Sequence, residues 1–173
     1  MTGYTDLIEL ASRTDDFMER FDGEWFLMRV TRSVVPPDDS AADSFGFKTV
    51  VGASAALESI RWDSPLAAIS KRPGNPFPDR VSIGRAPNCD VVLRLPFVSK
   101  LHAHVIKDGS ERMLQDNGSS RGTLLNGRRL LAHEPAPLTL DDEVTFGVQP
   151  TRVIDAARAL GMLKRRSVNP RDR

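Results

Sequence analysis

Three short clusters in this sequence have residue types and spacing that could do chemistry. Gly118-Ser119-Ser120-Arg121-Gly122 has the Gly-x-Ser-x-Gly spacing of a nucleophile elbow. Such an elbow works only on a strand–turn–helix in an α/β sheet, with an acid and then a histidine downstream. Here Thr123-Leu124-Leu125-Asn126-Gly127 follows, a strand entering a turn, and residues 121–132 hold no Asp or Glu before His133. Hydrolase chemistry is not supported, and no enzymatic activity is expected. His102-Ala103-His104 would put two imidazoles on one face of a strand, because strand side chains alternate. Nothing supplies obvious further ligands, so no metal and no cofactor are expected, and His104 reads as a packing or surface residue. Gly84-Arg85-Ala86-Pro87-Asn88 lacks the Gly-Lys-Ser/Thr ending of a nucleotide phosphate loop.

The elements that must carry these residues read as short strands. Val81-Ser82-Ile83, Val91-Val92-Leu93, residues 102–106, 112–115, 123–125, 129–131 and 144–146 are apolar runs separated by turn signals. Asp108-Gly109 and Asn126-Gly127 are hairpin signals, since both central positions of such turns take positive φ. Short strands with turns at this spacing suggest an antiparallel sandwich or barrel. No helical period interrupts residues 80–148. Upstream, residues 5–21 read as one helix with Leu7, Leu10, Ala11, Phe17, Met18 and Phe21 on an apolar stripe, ended by Gly23. Residues 24–33 read as a strand, 36–40 as a loop and 45–52 as another strand; 53–61 is ambiguous between helix and strand. Residues 152–164 read as a last helix, with Val153, Ala157, Leu160 and Leu163 on one side. The basic residues after it read as a disordered tail.

The length of 173 residues predicts one domain, or one domain with appendages, large enough to bury a core without disulfides or metals. Lys and Arg number 24 against 23 Asp and Glu, which gives no warrant for polyanion binding, so nucleic acid is disfavoured as a partner. The charge is polarised: residues 1–24 carry a net of −5 and residues 151–173 a net of +5. The one cysteine, Cys89, excludes an intramolecular disulfide and any multi-cysteine metal site. No apolar run approaches the ~18 residues of a membrane helix, and the first residues lack the pattern of a signal peptide. A reduced, cytoplasmic compartment and no membrane partner are the expectations.

Five segments, taken in order, carry a resemblance. They are Val81-Ser82-Ile83-Gly84-Arg85; Asn88 to Leu93; Val98-Ser99-Lys100-Leu101-His102-Ala103; Asp116 to Gly127; and Asp141 to Gly147. In order and spacing this series resembles the forkhead-associated (FHA) domain, over about residues 66–148. The resemblance implies an all-β fold, an antiparallel β-sandwich of about eleven strands, whose loops at one end bind phosphothreonine peptides. The expected organisation is an acidic amphipathic helix over 1–23, the FHA sandwich over 24–150, and a helix with a basic tail over 151–173.

The resemblance also assigns residues. Arg85 matches the family's phosphate-binding arginine, whose planar fork can donate two parallel bonds. Ser99 matches a serine that donates to the phosphate, and Lys100 beside it adds charge. Ser120 matches a Ser/Thr position that reaches the phosphothreonine region. Gly84 and His102 match positions that are mainly architectural: Gly84 to let the backbone turn before Arg85, His102 to bridge loops. Asn126-Gly127 would close a hairpin that supports the Ser120 loop. Arg121 departs from the family, which usually has asparagine there to hold the peptide backbone. An asparagine amide donates and accepts, whereas arginine only donates. Arg121 could therefore favour an acid near the phosphothreonine, or could weaken peptide binding and leave a phosphate-independent scaffold. The implied partner is a Thr-phosphorylated protein or peptide in serine/threonine kinase signalling. Capture of the chain's own phosphorylated Thr2, Thr5 or Thr14 is a weaker expectation, since Thr14 falls inside a predicted helix.

Overall fold

The computed structural model describes residues 4–30 and 66–168. The loop expected at 36–40, the strand at 45–52 and the ambiguous stretch at 53–61 lie outside the described residues.

The N-terminal segment forms two helices, α1 (Tyr4–Ala11) and α2 (Thr14–Arg20), where the sequence predicts one. The break lies at Ser12-Arg13. The Ser12 hydroxyl turns back to donate to the Glu9 carbonyl at 2.6 Å, and the N–H groups of Ser12 and Arg13 bond three residues back. A serine that satisfies the backbone in this way competes with continuation of the helix.

Eleven strands follow among the described residues: β1 (Trp25–Arg29), β2 (Leu66–Ala68), β3 (Arg80–Gly84), β4 (Val91–Val92), β5 (Ala103–Asp108), β6 (Glu111–Asp116), β7 (Thr123–Leu125), β8 (Arg128–Arg129), β9 (Pro135–Pro137), β10 (Glu143–Phe146) and β11 (Gln149–Asp155). They form a six-stranded sheet in the order β2-β1-β11-β10-β7-β8 and a five-stranded sheet in the order β4-β3-β5-β6-β9. Pairing is antiparallel except between β3 and β4. Burial alternates as a half-buried strand requires: Val81 and Ile83 on β3, Ala103 and Val105 on β5, Val144 and Phe146 on β10, Thr151 and Val153 on β11. These side chains fill the sandwich interior together with Leu27, Leu93, Leu95, Val98 and Leu114.

The chain's C-terminal side departs from its sequence reading. Residues 152–155 continue β11, and the helix α3 spans Ala156–Val168. Val153 pairs with Leu27 across the β1–β11 ladder and is fully buried, so sheet pairing overrides the apolar period that suggested a helix. The helix begins where the Asp155 carboxylate accepts the Arg158 N–H at 2.7 Å, an N-cap bond. Arg165 and Arg166, expected in a disordered tail, lie in α3.

Alternate residues of β1 face opposite sides. Phe26 and Ile154 point away from the sandwich into a second apolar cluster with Leu7, Ala11, Phe17, Phe21, Ala159, Leu160 and Leu163. The three helices thus cover the outer face of β1 and β11. Phe17 stacks on Phe26 and tilts against Phe21, with centroids 6.0 and 4.9 Å apart. The turn into β1 is tied to the other sheet by Lys107–Glu24 at 2.8 Å and by the Arg112 guanidinium 4.3 Å over the Trp25 ring. No described helix is long and apolar enough to cross a membrane.

Candidate functional site

The β3–β4, β4–β5 and β6–β7 loops meet at one end of the sandwich, and backbone bonds clamp them. Arg85 N–H donates to the Ser99 carbonyl at 2.9 Å and Ala86 N–H to the Lys100 carbonyl at 3.0 Å. The Cys89 thiol adds a bond to that same Lys100 carbonyl at 3.2 Å. Such close approach explains Gly84. A Cβ there would stand 2.2 Å from the Lys100 oxygen and 3.0 Å from the Cys89 sulfur. The position needs glycine for this contact rather than for a turn, since Gly84 is not among the residues with positive φ.

Arg85 is exposed, and its Nε donates to the Val98 carbonyl at 3.1 Å. One edge of the guanidinium is therefore fixed. Its terminal nitrogens have no partner among the described residues. Ser99 lies beside it, half-buried. The Ser99 hydroxyl accepts the Ser120 N–H at 3.0 Å and meets the Ser120 hydroxyl at 3.4 Å. Arg85, Ser99 and Ser120 are thus brought together. Lys100 and Arg121 are exposed neighbours of the two serines in the chain.

His102 is fully buried between these loops. Its Nδ1 accepts the Ser99 N–H at 3.0 Å, which leaves Nε2 to carry the proton and donate to the Gly122 carbonyl at 3.2 Å. The ring meets Phe146 edge-on at 5.7 Å. Burial pushes its pKa below the ordinary histidine value. With both ring nitrogens engaged, His102 is not available to a metal. Among the described residues no group of three or more His, Cys, Asp or Glu could hold one.

Asp116 organises the β6–β7 loop, a role sequence reading missed. Its carboxylate accepts the Ser119 N–H at 2.9 Å and the Ser119 and Thr123 hydroxyls at 2.6 Å each. Burial works to raise its pKa, but these bonds lower it overall. The signal was legible as Asp116 three residues before Ser119, the spacing of a side-chain-capped turn. Asp90, just before β4, plays a similar part toward β3 and the β2–β3 connection. Burial opposes its charge, yet bonds from Arg72 N–H, Ser82 N–H, the Ser82 hydroxyl and Asn75 bring its pKa down to about 2. Lys71 pairs with it at 3.0 Å.

Asn126 and Gly127 lie at the other end of β7, with φ of 51° and 80°. The Asn126 side chain donates to Asp142 at 2.7 Å and accepts the Glu143 N–H at 2.9 Å, so it contacts no residue of the Ser99–Ser120 pair. Their hairpin nevertheless sends β8 back toward the loop. Arg129 on β8 donates from Nη1 to the Arg121 carbonyl at 3.0 Å. Arg129 was also missed, because nothing in the local sequence distinguishes it from Arg128.

Residues 81–147 match the family model of the FHA domain. No curated protein matches the chain. Among solved structures, an engineered FHA domain with a Myc-pTBD peptide is similar at 17% identity and a TM-score of 0.49, covering 81% of this chain and 97% of that one. The N-terminal FHA domain of Saccharomyces cerevisiae Rad53p, in complex with a phosphothreonine peptide, is similar at 21% identity and a TM-score of 0.47, covering 80% and 98%. The FHA domain of the CT664 protein from Chlamydia trachomatis is similar at 17% identity and a TM-score of 0.46, covering 76% and 97%.

Proposed function

We propose that this chain, in which residues 81–147 match the FHA domain, is a phosphothreonine-dependent protein-binding module of serine/threonine kinase signalling. The observation that carries the reading is the placement of Arg85 beside the Ser99–Ser120 pair. A phosphothreonine brings about −1.5 to −2 charges and three strong acceptor oxygens. Arg85 offers its two terminal nitrogens, with the guanidinium already oriented through Nε by the Val98 carbonyl. A partly immobilised fork loses less entropy on binding than a free side chain. The Ser99 hydroxyl proton now points toward the Ser120 oxygen at a long 3.4 Å and can turn to the phosphate. Its acceptance of the Ser120 N–H keeps the oxygen in place as it does so. Lys100 adds charge at the rim. Hydrogen bonds to charged groups contribute about 1.5–3 kcal/mol each. Three or four of them support roughly micromolar affinity once association costs are met.

Arg121 stands where the family usually has asparagine. Its guanidinium can donate to a peptide carbonyl or to an acidic side chain but cannot accept from a peptide N–H. A phosphate-independent scaffold of the same fold is the second reading, and Arg121 is the residue that favours it. The partner in the first reading is a Thr-phosphorylated protein, with a kinase upstream, in the cytoplasm. Titration of a degenerate phosphothreonine peptide library against the wild type and Arg85→Ala separates the two readings. Saturable binding lost in Arg85→Ala, and absent for unphosphorylated or phosphoserine peptides, is the expected result. No binding by a folded wild type would favour the scaffold.

A further inference from the structure

An open pocket of about 330 Å³ lies on the β6–β7 loop, lined among others by Asp116, Ser119, Gly122, Arg129, Leu130 and Leu131. None of the residues assigned to phosphate binding lines it. Its walls are of two kinds. Leu131 is 66% exposed, a large apolar side chain offered to solvent. Arg129 is charged and lies flat on the backbone of the loop: a Cβ on Gly122 would come within 2.4–2.7 Å of its guanidinium carbon and terminal nitrogens. That glycine has φ of 81°. The guanidinium is anchored at one point, Nη1 to the Arg121 carbonyl at 3.0 Å. Its other N–H groups have no partner among the described residues, and no carboxylate pairs with it there. The one carboxylate in the wall, Asp116, is buried and already takes three hydrogen bonds.

We infer that Arg129 is a specificity-determining residue: it takes an anionic side chain that flanks the phosphothreonine, in the pocket between the Ser119–Gly122 loop and Leu131. The inference rests on the phosphothreonine reading above and deepens it. The chemistry follows from the placement. The loop carrying Ser120 and Arg121 separates the phosphate site from the pocket, so a peptide crossing that loop delivers a neighbouring side chain to the pocket. An anion fits the unpaired N–H groups of a guanidinium held by the backbone. The methylenes of an acidic side chain, or the residue next to it, fit against Leu131. A carboxylate and a second phosphate share this chemistry.

The test uses the whole chain and one phosphothreonine peptide with alanine at the four positions on either side. Glutamate, and in a second set phosphoserine, is then placed at each position in turn. Titrations are made with wild type, Arg129→Gln and Arg121→Ala. The Gln variant keeps an N–H for the Arg121 carbonyl but carries no charge. At one or two positions the anion is expected to tighten wild-type binding about three- to fivefold, the value of an exposed ion pair. Arg129→Gln is expected to lose that gain while binding the all-alanine peptide as the wild type does. A gain from phosphoserine alone identifies a doubly phosphorylated ligand, and a gain from glutamate identifies an acidic one; either supports the assignment. Equal weakening of all peptides in Arg129→Gln would mean that Arg129 only shapes the loop. A gain that survives in Arg129→Gln but vanishes in Arg121→Ala would move the role to Arg121. Either result, or no gain at any position, overturns the inference while leaving phosphothreonine binding intact. Absence of all phosphopeptide binding overturns both.

Discussion

The Ser120 backbone N–H donates to the Ser99 hydroxyl at 3.0 Å, joining two loops separated by 21 residues in the chain. This bond joins His102 in holding the β4–β5 loop against the β6–β7 loop, and the Ser99 hydroxyl proton, which reaches the Ser120 oxygen only at 3.4 Å, can turn to another acceptor. Ser99→Ala removes a donor to phosphate and leaves the Ser120 N–H without its partner. Affinity for a phosphothreonine peptide is expected to fall about ten- to hundredfold. Ser120→Ala keeps the backbone N–H and is expected to do less. Calorimetric titration of both single variants and the double checks this, and a subadditive double would show that the serines act as a pair.

Gly84→Ala should fail for reasons of space. The new methyl group would meet the Lys100 carbonyl carbon and oxygen, at 2.9 and 2.2 Å, and both are backbone atoms. The loop must move away, breaking the Ala86–Lys100 bond that aligns Arg85 with Ser99. Overpacking of this kind destabilises by about 1–3 kcal/mol. Denaturant unfolding is expected to show that loss, and peptide titration a weakening larger than the fraction unfolded accounts for.

Acidification should loosen the site through His102. Its folded pKa lies below the ordinary histidine value because burial disfavours the charged ring. The unfolded chain therefore takes up the proton first as pH falls. The stability contribution is complete above about pH 6.5 and is lost below it, toward the folded pKa. His104 shifts in the same direction, chiefly from burial. Protonation of Nδ1 would break the bond from Ser99 N–H. Denaturant midpoints measured at pH 7.5, 6.5 and 5.5 should fall in the wild type and fall less in His102→Gln. An NMR titration of the two rings assigns the effect.

Asp90 works at more acid pH. Its folded pKa of about 2 lies below the unfolded aspartate value, so the contribution is present above about pH 4 and disappears as pH falls through about 2. Asp90→Asn keeps the shape but removes the charge facing Lys71 and two backbone N–H donors. A loss of about 2–3 kcal/mol is expected at neutral pH, shrinking toward zero near pH 2. Equilibrium unfolding of the two proteins across that range measures it.

The helical layer should be separable from binding. Phe17→Ala opens a cavity between α2 and β1 in a fully buried position, a loss of about 3–5 kcal/mol. Below its lowered melting temperature the variant is expected to bind phosphopeptide as the wild type does. A changed affinity at low temperature would instead couple the helices to the loops.

The parts of the fold that were legible in sequence are those where a local rule decides. Asn126-Gly127 marks its turn because both residues take positive φ, whereas at Asp108-Gly109 only Gly109 does and Asp108 ends β5; alternation at Val81, Ile83, Val144 and Phe146 marks strands with one buried face. The rest depends on distant partners. Residues 152–155 carry an apolar period compatible with a helix, and only β1 makes them a strand. Pro135-Ala136-Pro137 reads against a strand, and it is tolerated because β9 is an edge whose one N–H-bearing residue between the prolines, Ala136, pairs with Leu114. Leu66–Ala68 is too short to signal itself. At the candidate site, Arg85, Ser99 and Ser120 were legible through a resemblance. Arg129 was not, because its position depends on where a hairpin returns.

The β1–β11 ladder has a mechanical consequence. Trp25 faces Asp155 at one end of the pair, and Arg29 faces Thr151 near the other. The helices attach at Trp25 and Asp155, so tension applied to the two ends of the chain enters the ladder at a single rung. In an antiparallel pair loaded this way the hydrogen bonds open one after another like a zipper, at low force, rather than shearing together. The turn at Gly147, whose N–H holds the Gly122 carbonyl at 3.1 Å, lies past the last rung to open. Tension between the two ends of the chain would therefore peel away the helices and β1 before it disturbed the loops of the candidate site.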